Sequence, residues 1–133
     1  MCVFCDIVTG KSQSIQILEG NYCKVIYDIN PISPGHSLVI SKEHYSELKE
    51  VPDEEILEMM QMVKKIYPVL VSVYQADGLS LIENYGYLQE IKHTHFHLIP
   101  LFKESPNFEI HRTGRLEKSK LKLVELKKEL GLN

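Results

Sequence analysis

The chain has 133 residues, of which 44% are hydrophobic and 25% charged, and its 15 basic and 18 acidic side chains give a formal net charge of −3. This length fits one domain, and these proportions are typical of a globular protein rather than a disordered, collagen-like or coiled-coil chain. The slightly acidic balance argues against binding to polymeric nucleic acid, and no apolar run reaches the roughly 20 residues of a membrane span.

The first residues show no basic segment followed by an apolar stretch, so we expect no secretory signal and a cytoplasmic protein. Cysteines in a reducing compartment are usually thiols or metal ligands rather than disulfides. The three that occur here are Cys2, Cys5 and Cys23.

Five segments have the composition of short β-strands and are separated by turn residues. The clearest turn is Gly20-Asn21, which predicts a hairpin between the first two strands. Strands and helical segments mix without a strict β-α-β alternation, so the sequence predicts an α+β fold with an antiparallel sheet. The predicted strands span residues 12–19, 22–28, 37–40, 79–84 and 91–100.

Two segments have the pattern of helices. The longer begins at Asp53, with acidic residues at its first turn and apolar residues at helical spacing. Pro68 is expected to kink or divide it, because proline lacks the amide proton of a helical hydrogen bond. A C-terminal helix is predicted over residues 115–130, ended by Gly131.

The last predicted strand carries the most informative pattern, His-Thr-His-Phe-His. Side chains alternate along a strand, so His93, His95 and His97 are predicted to share one face. The opposite face is apolar enough to meet a core, which favours a central strand. From the spacing alone, three chemistries remain open: a tri-histidine metal site, a nucleophilic histidine at phosphorus, and phosphate binding without turnover. The residues predicted on the opposite face are Thr94, Phe96 and Leu98.

Residues 89–99 resemble the signature of the histidine triad (HIT) superfamily of nucleotide hydrolases and transferases, in which three histidines alternate with apolar residues after a glutamine. The Cys-x-x-Cys opening is similar to that of the Hint-like bacterial-type branch. Further similar blocks occur at residues 27–44 and 81–84. The resemblance covers residues 1–103 of a single domain, 1–133, and implies a HIT-like sheet with one long helix and a C-terminal extension over 104–133.

The resemblance implies hydrolysis at the α-phosphorus of a nucleoside phosphoramidate or dinucleoside polyphosphate. His95 would be the nucleophile and form a covalent nucleotidyl-histidine, with its second nitrogen bonded to a backbone carbonyl. His97, Gln89 and Asn84 would contact the phosphate, and Asp28 the ribose of a purine nucleotide. The resemblance implies no metal at the phosphoryl centre. The residues expected around the base are Phe4, Ile7, Ile26 and Ile29.

A second site involves the cysteines. The pair Cys2 and Cys5 alone fits a redox pair, a metal site or chance. By resemblance, His44 and His93 would complete a Cys₂His₂ set that suits structural zinc. Cys23 is expected to be a buried strand residue.

Three positions depart from the family pattern: Leu88, Glu90 and Leu101. They motivate an alternative function, a nucleotide-sensing or partner-binding module with little turnover. His36 is expected to be structural, and His111 has no assigned role. The resemblance also implies a homodimer paired through the long helix and its adjoining strand.

Overall fold

Within the part of the chain that the structure describes, five antiparallel strands form one sheet, in the spatial order first, second, third, fifth and fourth along the chain, so the predicted α+β class is confirmed. A computed structural model describes residues 2–104 and 115–132, with the backbone alone at Arg115; His111 lies outside the described residues. The strands are β1 Gln16–Glu19, β2 Cys23–Tyr27, β3 Ser37–Ser41, β4 Gly78–Glu83 and β5 His95–Leu101. The helices are α1 Val3–Thr9, α2 Asp53–Val73, α3 Arg115–Lys120 and α4 Leu123–Glu129, and 3₁₀ turns span Leu48–Glu50 and Gly86–Leu88.

Each face of the sheet has its own apolar cluster. The register pairs Ile40 with His95 and Leu38 with His97, so these four residues share one face. Phe4 of α1 packs in the cluster on that face, whereas Phe96 packs in the larger cluster with α2. His95 and His97 therefore lie on one face of β5 and Phe96 on the other, as the alternating pattern predicts. The strand begins at His95 rather than at residue 91, so His93 and Thr94, which were predicted to belong to it, precede it. Strand β5 lies between β3 and β4, which confirms its internal position.

Helix α1 was not predicted. Its N-cap is Cys2, whose sulfur accepts from the Cys5 amide at 3.4 Å. Phe4 and Ile7 are buried three residues apart, at helical spacing. The sequence signal is short because the helix has only seven residues and its stability comes from packing on the sheet.

Helix α2 runs through Pro68 as one continuous helix, so of the two outcomes predicted for this proline, a kink or a division, the division is wrong. Pro68 and Lys64 are both exposed, so the carbonyl that lacks a helical donor lies on the solvent side. The opposite side packs on the sheet with the buried residues Met59, Val63, Ile66, Leu70 and Val73.

The C-terminal segment forms two short helices, α3 and α4, rather than the single predicted one. The amide of Lys122 bonds to the carbonyl of Ser119, which tightens the chain between them. Leu126 and Leu130 anchor α4 in the large cluster. Gly131 has a φ of 75°, in agreement with its predicted place after the last helical residue. Among the described residues, no helix combines the length and the apolar run that crossing a bilayer requires.

Candidate active site

The ring of His95 is held by the backbone that precedes it. Its Nδ1 lies 2.6 Å from the carbonyl oxygen of His93. A carbonyl can only accept, so Nδ1 carries the proton and donates, and Nε2 keeps its lone pair in the neutral ring. Phe4 packs against the ring edge-on, with 4.9 Å between ring centroids. This arrangement leaves His95 with one fixed tautomer and one basic nitrogen.

Burial lowers the pKa of His95 below the ordinary histidine value, while the bond to the His93 carbonyl and the carboxylates of Asp28 and Glu90 act in the opposite sense. The ring is therefore neutral near pH 7. Burial likewise lowers the pKa of His93, with a smaller contribution from the neighbouring His44 and His95.

A second hydrogen-bonded group lies beside the first. The backbone amide of Ile32 donates to His36 Nδ1 at 3.0 Å, so Nε2 of neutral His36 carries the proton. That Nε2 lies 3.0 Å from His97 Nδ1 and 3.4 Å from an oxygen of Asp28. His97 Nδ1 must accept, which puts the proton of neutral His97 on Nε2. The ring centroids of His95 and His97 are 4.9 Å apart, so the Nε2 donor of His97 and the basic Nε2 of His95 belong to one cluster.

Of the two predicted amide side chains, Asn84 directly follows β4, and Gln89 lies in the segment between β4 and β5. The register pairs Ile82 with His97 and Glu83 with Phe96, so Asn84 follows at the level of His95. Gln89 is buried and its amide donates to the Ser46 carbonyl at 2.8 Å.

Gln89 also lines a cavity of about 330 Å³, which lies beside the loop before β5. Of the three departures from the family pattern, Leu88 and Glu90 flank Gln89 as exposed side chains, and Leu101 ends β5. The cavity is lined by Ser46, Glu47, Glu50, Tyr85, Gly86, Gln89 and Lys92.

Three of the four apolar residues predicted around a base come together on the histidine face. Phe4, Ile7 and Ile26 are buried in one cluster with Leu38 and others. Ile29 does not join them and is 64% exposed in the loop after β2. The role of this cluster in base binding stays a prediction.

The Cys₂His₂ set predicted from the resemblance converges in space. The sulfur atoms of Cys2 and Cys5 and Nδ1 of His44 and His93 all lie within 4.8 Å of one another. Nδ1 of His93 is 3.2 Å from the Cys2 sulfur, and Nδ1 of His44 is 3.3 Å from the Cys5 sulfur.

The donor set fits a tetrahedral metal ion. Nε2 of His93 lies 2.6 Å from the Ser41 carbonyl and must donate to it, so Nδ1 presents a lone pair to the two sulfurs. Burial and the adjacent Cys2 raise the pKa of the Cys5 thiol in the absence of a cation. Two thiolates and two imidazoles at this separation are a set that zinc prefers.

The sequence profile of the HIT domain matches residues 9–104, which is most of the chain. The chain belongs to the HIT family. It is 41% identical over 101 residues to a protein of Arabidopsis thaliana called adenylylsulfatase HINT3, covering 74% of this chain and 51% of that protein. It is 35% identical over 101 residues to the adenosine 5'-monophosphoramidase HNT1 of Saccharomyces cerevisiae, covering 74% and 61% of the two chains. The chain thus spans about half to three-fifths of the length of these two relatives.

One solved structure that is similar to this chain contains zinc. The zinc-bound histidine triad family protein of Mycobacterium smegmatis superposes with a TM-score of 0.83 at 30% identity, over 96% of this chain and 94% of that one. That protein is similar in fold over nearly its whole length and carries zinc.

Sequence reasoning missed one member of the cluster in this HIT protein. His36 was expected to be structural, yet its ring bonds to His97 and approaches Asp28. The sequence held a signal for this contact. His36 directly follows the Pro34-Gly35 turn and directly precedes β3, the strand that lies beside β5. Cys23 is fully buried in β2, as predicted, and its thiol donates to Glu58.

Proposed function

We propose that this chain hydrolyses nucleotide conjugates at the α-phosphorus, with His95 as the nucleophile. The observation that carries the proposal is the bond from His95 Nδ1 to the His93 carbonyl, which leaves Nε2 basic and aimed by a fixed ring. The adenosine monophosphoramidase relative supports an adenosine phosphoramidate as the first substrate to test.

The proposed reaction has two displacements. The Nε2 lone pair of His95 forms a bond to phosphorus as the bond to the leaving nitrogen or oxygen breaks, and the leaving atom takes up a proton. Water then attacks the nucleotidyl-histidine, the P–N bond to His95 breaks, and the nucleoside monophosphate leaves. Overall, water supplies the proton of the leaving group and the hydroxyl of the product, so His95 returns to its neutral form.

His97 and His36 would stabilise the charge that develops on the phosphoryl oxygens. The tautomer set by Ile32 and His36 places an N–H donor on His97 Nε2. Asn84 and Gln89 are proposed as further phosphate contacts, and Asp28 as the ribose acceptor. Gln89 must exchange its bond to the Ser46 carbonyl to reach a phosphate.

We also propose that Cys2, Cys5, His44 and His93 hold a structural zinc ion. Zinc would join the first turn of α1 to the segment before β5 and so fix the carbonyl that orients His95. Reduced thiols at this site suit a reducing compartment such as the cytoplasm.

A homodimer is proposed through α2 and β4. Among the residues that the structure describes, strand β4 lies at an edge of the sheet, with β5 as its one neighbour. An uncovered edge is a liability that proteins commonly remove by pairing. Apolar side chains are exposed on both elements, at Leu57 and Tyr67 of α2 and at Leu81 of β4. Sedimentation of the wild type and of Leu81→Lys tests this surface, and a wild-type monomer would contradict it.

Rapid-quench trapping tests the proposed activity. Adenosine 5'-phosphoramidate labelled at phosphorus should leave an acid-labile label on the protein within a single turnover. The label should be absent in His95→Ala, whose binding of AMP serves as the check on folding. Nucleotide binding without label or product would instead support the alternative, a sensing or partner-binding module.

A further inference from the structure

A buried chain of hydrogen bonds connects the C-terminal extension to the loop of the candidate site. The Tyr74 hydroxyl donates to the Ser119 carbonyl at 2.6 Å, and the Gly35 amide donates to the Ser119 hydroxyl at 2.7 Å. A carbonyl can only accept, so the Tyr27 hydroxyl must donate to that of Tyr74. Burial raises the pKa of Tyr27 to about 12, and it raises that of Tyr74 as well, so both hydroxyls keep their protons.

The two ends of this chain are neighbours of site residues. Tyr27 ends β2 and directly precedes Asp28, and Gly35 directly precedes His36. The amide of Asp28 bonds to the His36 carbonyl at 3.0 Å, which closes the loop between them. A displacement of Gly35 or Tyr27 would therefore be passed to Asp28 and to His36, whose ring bonds to His97.

The conformation of Gly35 makes this coupling tight. Its φ is +89°, a value that favours glycine, and a Cβ atom there would lie 2.8 Å from the ring of Tyr74. The Tyr74 ring thus packs directly on the backbone of Gly35 while its hydroxyl holds Ser119. No larger residue allows this approach without moving the ring or the loop.

Apolar contacts already anchor the C-terminal segment, since Leu126 and Leu130 are buried in the core. Burying three hydroxyl groups costs free energy unless all are satisfied, and such networks fix one geometry more than they add stability. Ser119 is fully buried, and its hydroxyl accepts from the Gly35 amide of the loop.

We infer that Ser119, held by Tyr74 and Tyr27, is a positioning residue that sets Asp28 and His36 and through them the donor on His97. The inference rests on the proposed function for its effect on turnover. It assigns the C-terminal extension a part in the phosphoryl site although no residue of α3 or α4 is proposed to contact the nucleotide.

The test uses Ser119→Ala, which removes the acceptor of the Gly35 amide, and Tyr74→Phe, which keeps the ring on Gly35 but removes its hydroxyl. Val63→Ala, in the core on α2, is the control for lost stability alone. The readouts are the imidazole ¹⁵N resonances of His36 and His97, and kcat and KM on adenosine 5'-phosphoramidate. If Ser119→Ala does not fold, the result for Tyr74→Phe alone decides the test.

If Ser119→Ala and Tyr74→Phe fold, we expect the imidazole resonances of His36 and His97 to move in both variants. We expect kcat to fall about tenfold with a smaller change in KM, as for a misplaced reacting group. Val63→Ala should lower Tm without either change. Unchanged imidazole signals, or moved signals with unchanged kcat, would overturn the inference. If the wild type turns over no substrate but the signals still move, the proposed function fails while the coupling of Ser119 to the histidines stands.

Discussion

The carbonyl oxygen of His93 accepts a hydrogen bond from His95 Nδ1 at 2.6 Å, so one histidine of the row orients the next. The same residue turns its Nδ1 to Cys2 and its Nε2 to the Ser41 carbonyl. His93 is therefore shared by the candidate metal site, the backbone of β3 and the proposed nucleophile. The two sites can still be separated by experiment. The ring of His93 faces the cysteines, whereas its backbone carbonyl, which a side-chain substitution keeps, accepts from His95.

The His95→Ala variant should bind AMP with near wild-type affinity and lose turnover. The ring is the proposed nucleophile, and an alanine in its place offers no nitrogen to phosphorus. We expect kcat to fall by at least about 10³-fold, as for loss of a covalent nucleophile. Calorimetric titration with AMP and steady-state release of AMP measure the two properties. Turnover within tenfold of wild type would remove His95 from this role.

Removal of metal should destabilise the fold before it affects the chemistry. We expect purified protein to contain zinc, and Cys5→Ser to lose it together with roughly 5–10 °C in Tm, since the ion binds only the folded site. Cys23→Ala is the matched control, because Cys23 lies outside the cluster and should leave the zinc content unchanged. Metal analysis and thermal unfolding with and without a chelator are the measurements. Equal zinc contents in wild type and Cys5→Ser would place the metal elsewhere.

The strands, the long helix and the face carrying His95 and His97 could be predicted from the sequence, because alternation and helical spacing depend on neighbours within a few residues. Helix α1 could not, because its seven residues are stabilised by contacts with the sheet. The bond between His36 and His97 was missed for a related reason. It depends on the pairing of β3 with β5, which brings together residues 61 positions apart.

The Glu90→Gln variant should change leaving-group preference. Glu90 is exposed beside Gln89, and its negative charge acts on His95. A carboxylate there repels a polyphosphate leaving group and tolerates an amine. We expect kcat/KM for diadenosine tetraphosphate to rise about fivefold relative to that for adenosine 5'-phosphoramidate, equivalent to about 1 kcal/mol of repulsion. Glu54→Gln, on the exposed first turn of α2, should leave the ratio unchanged, and an equal rise for both substrates would contradict the argument.

The free energy of unfolding of the Glu58→Gln variant should depend less on pH in the acid range than that of the wild type. The Glu58 carboxylate accepts from the amides of Asn21 and Tyr22 at 3.0 and 2.7 Å and so secures the turn between β1 and β2. Gly20 leaves room for it, since a Cβ atom there would lie 2.4 Å from a Glu58 oxygen. Burial alone would raise the pKa of Glu58, but the donors of the turn outweigh burial and hold it below the ordinary glutamate value.

A group with a depressed pKa in the folded state stabilises above its unfolded pKa, and this contribution is lost as the pH falls through the folded pKa. The wild type should therefore exceed Glu58→Gln by about 1–2 kcal/mol in free energy of unfolding at pH 7, the size of hydrogen bonds to a charged group. The difference should shrink as the pH falls below the ordinary glutamate pKa and through the lower pKa of folded Glu58. Urea unfolding across this range measures it, with Glu129→Gln on α4 as the control. A difference that stays constant with pH would show that the charge of Glu58 does not stabilise the turn.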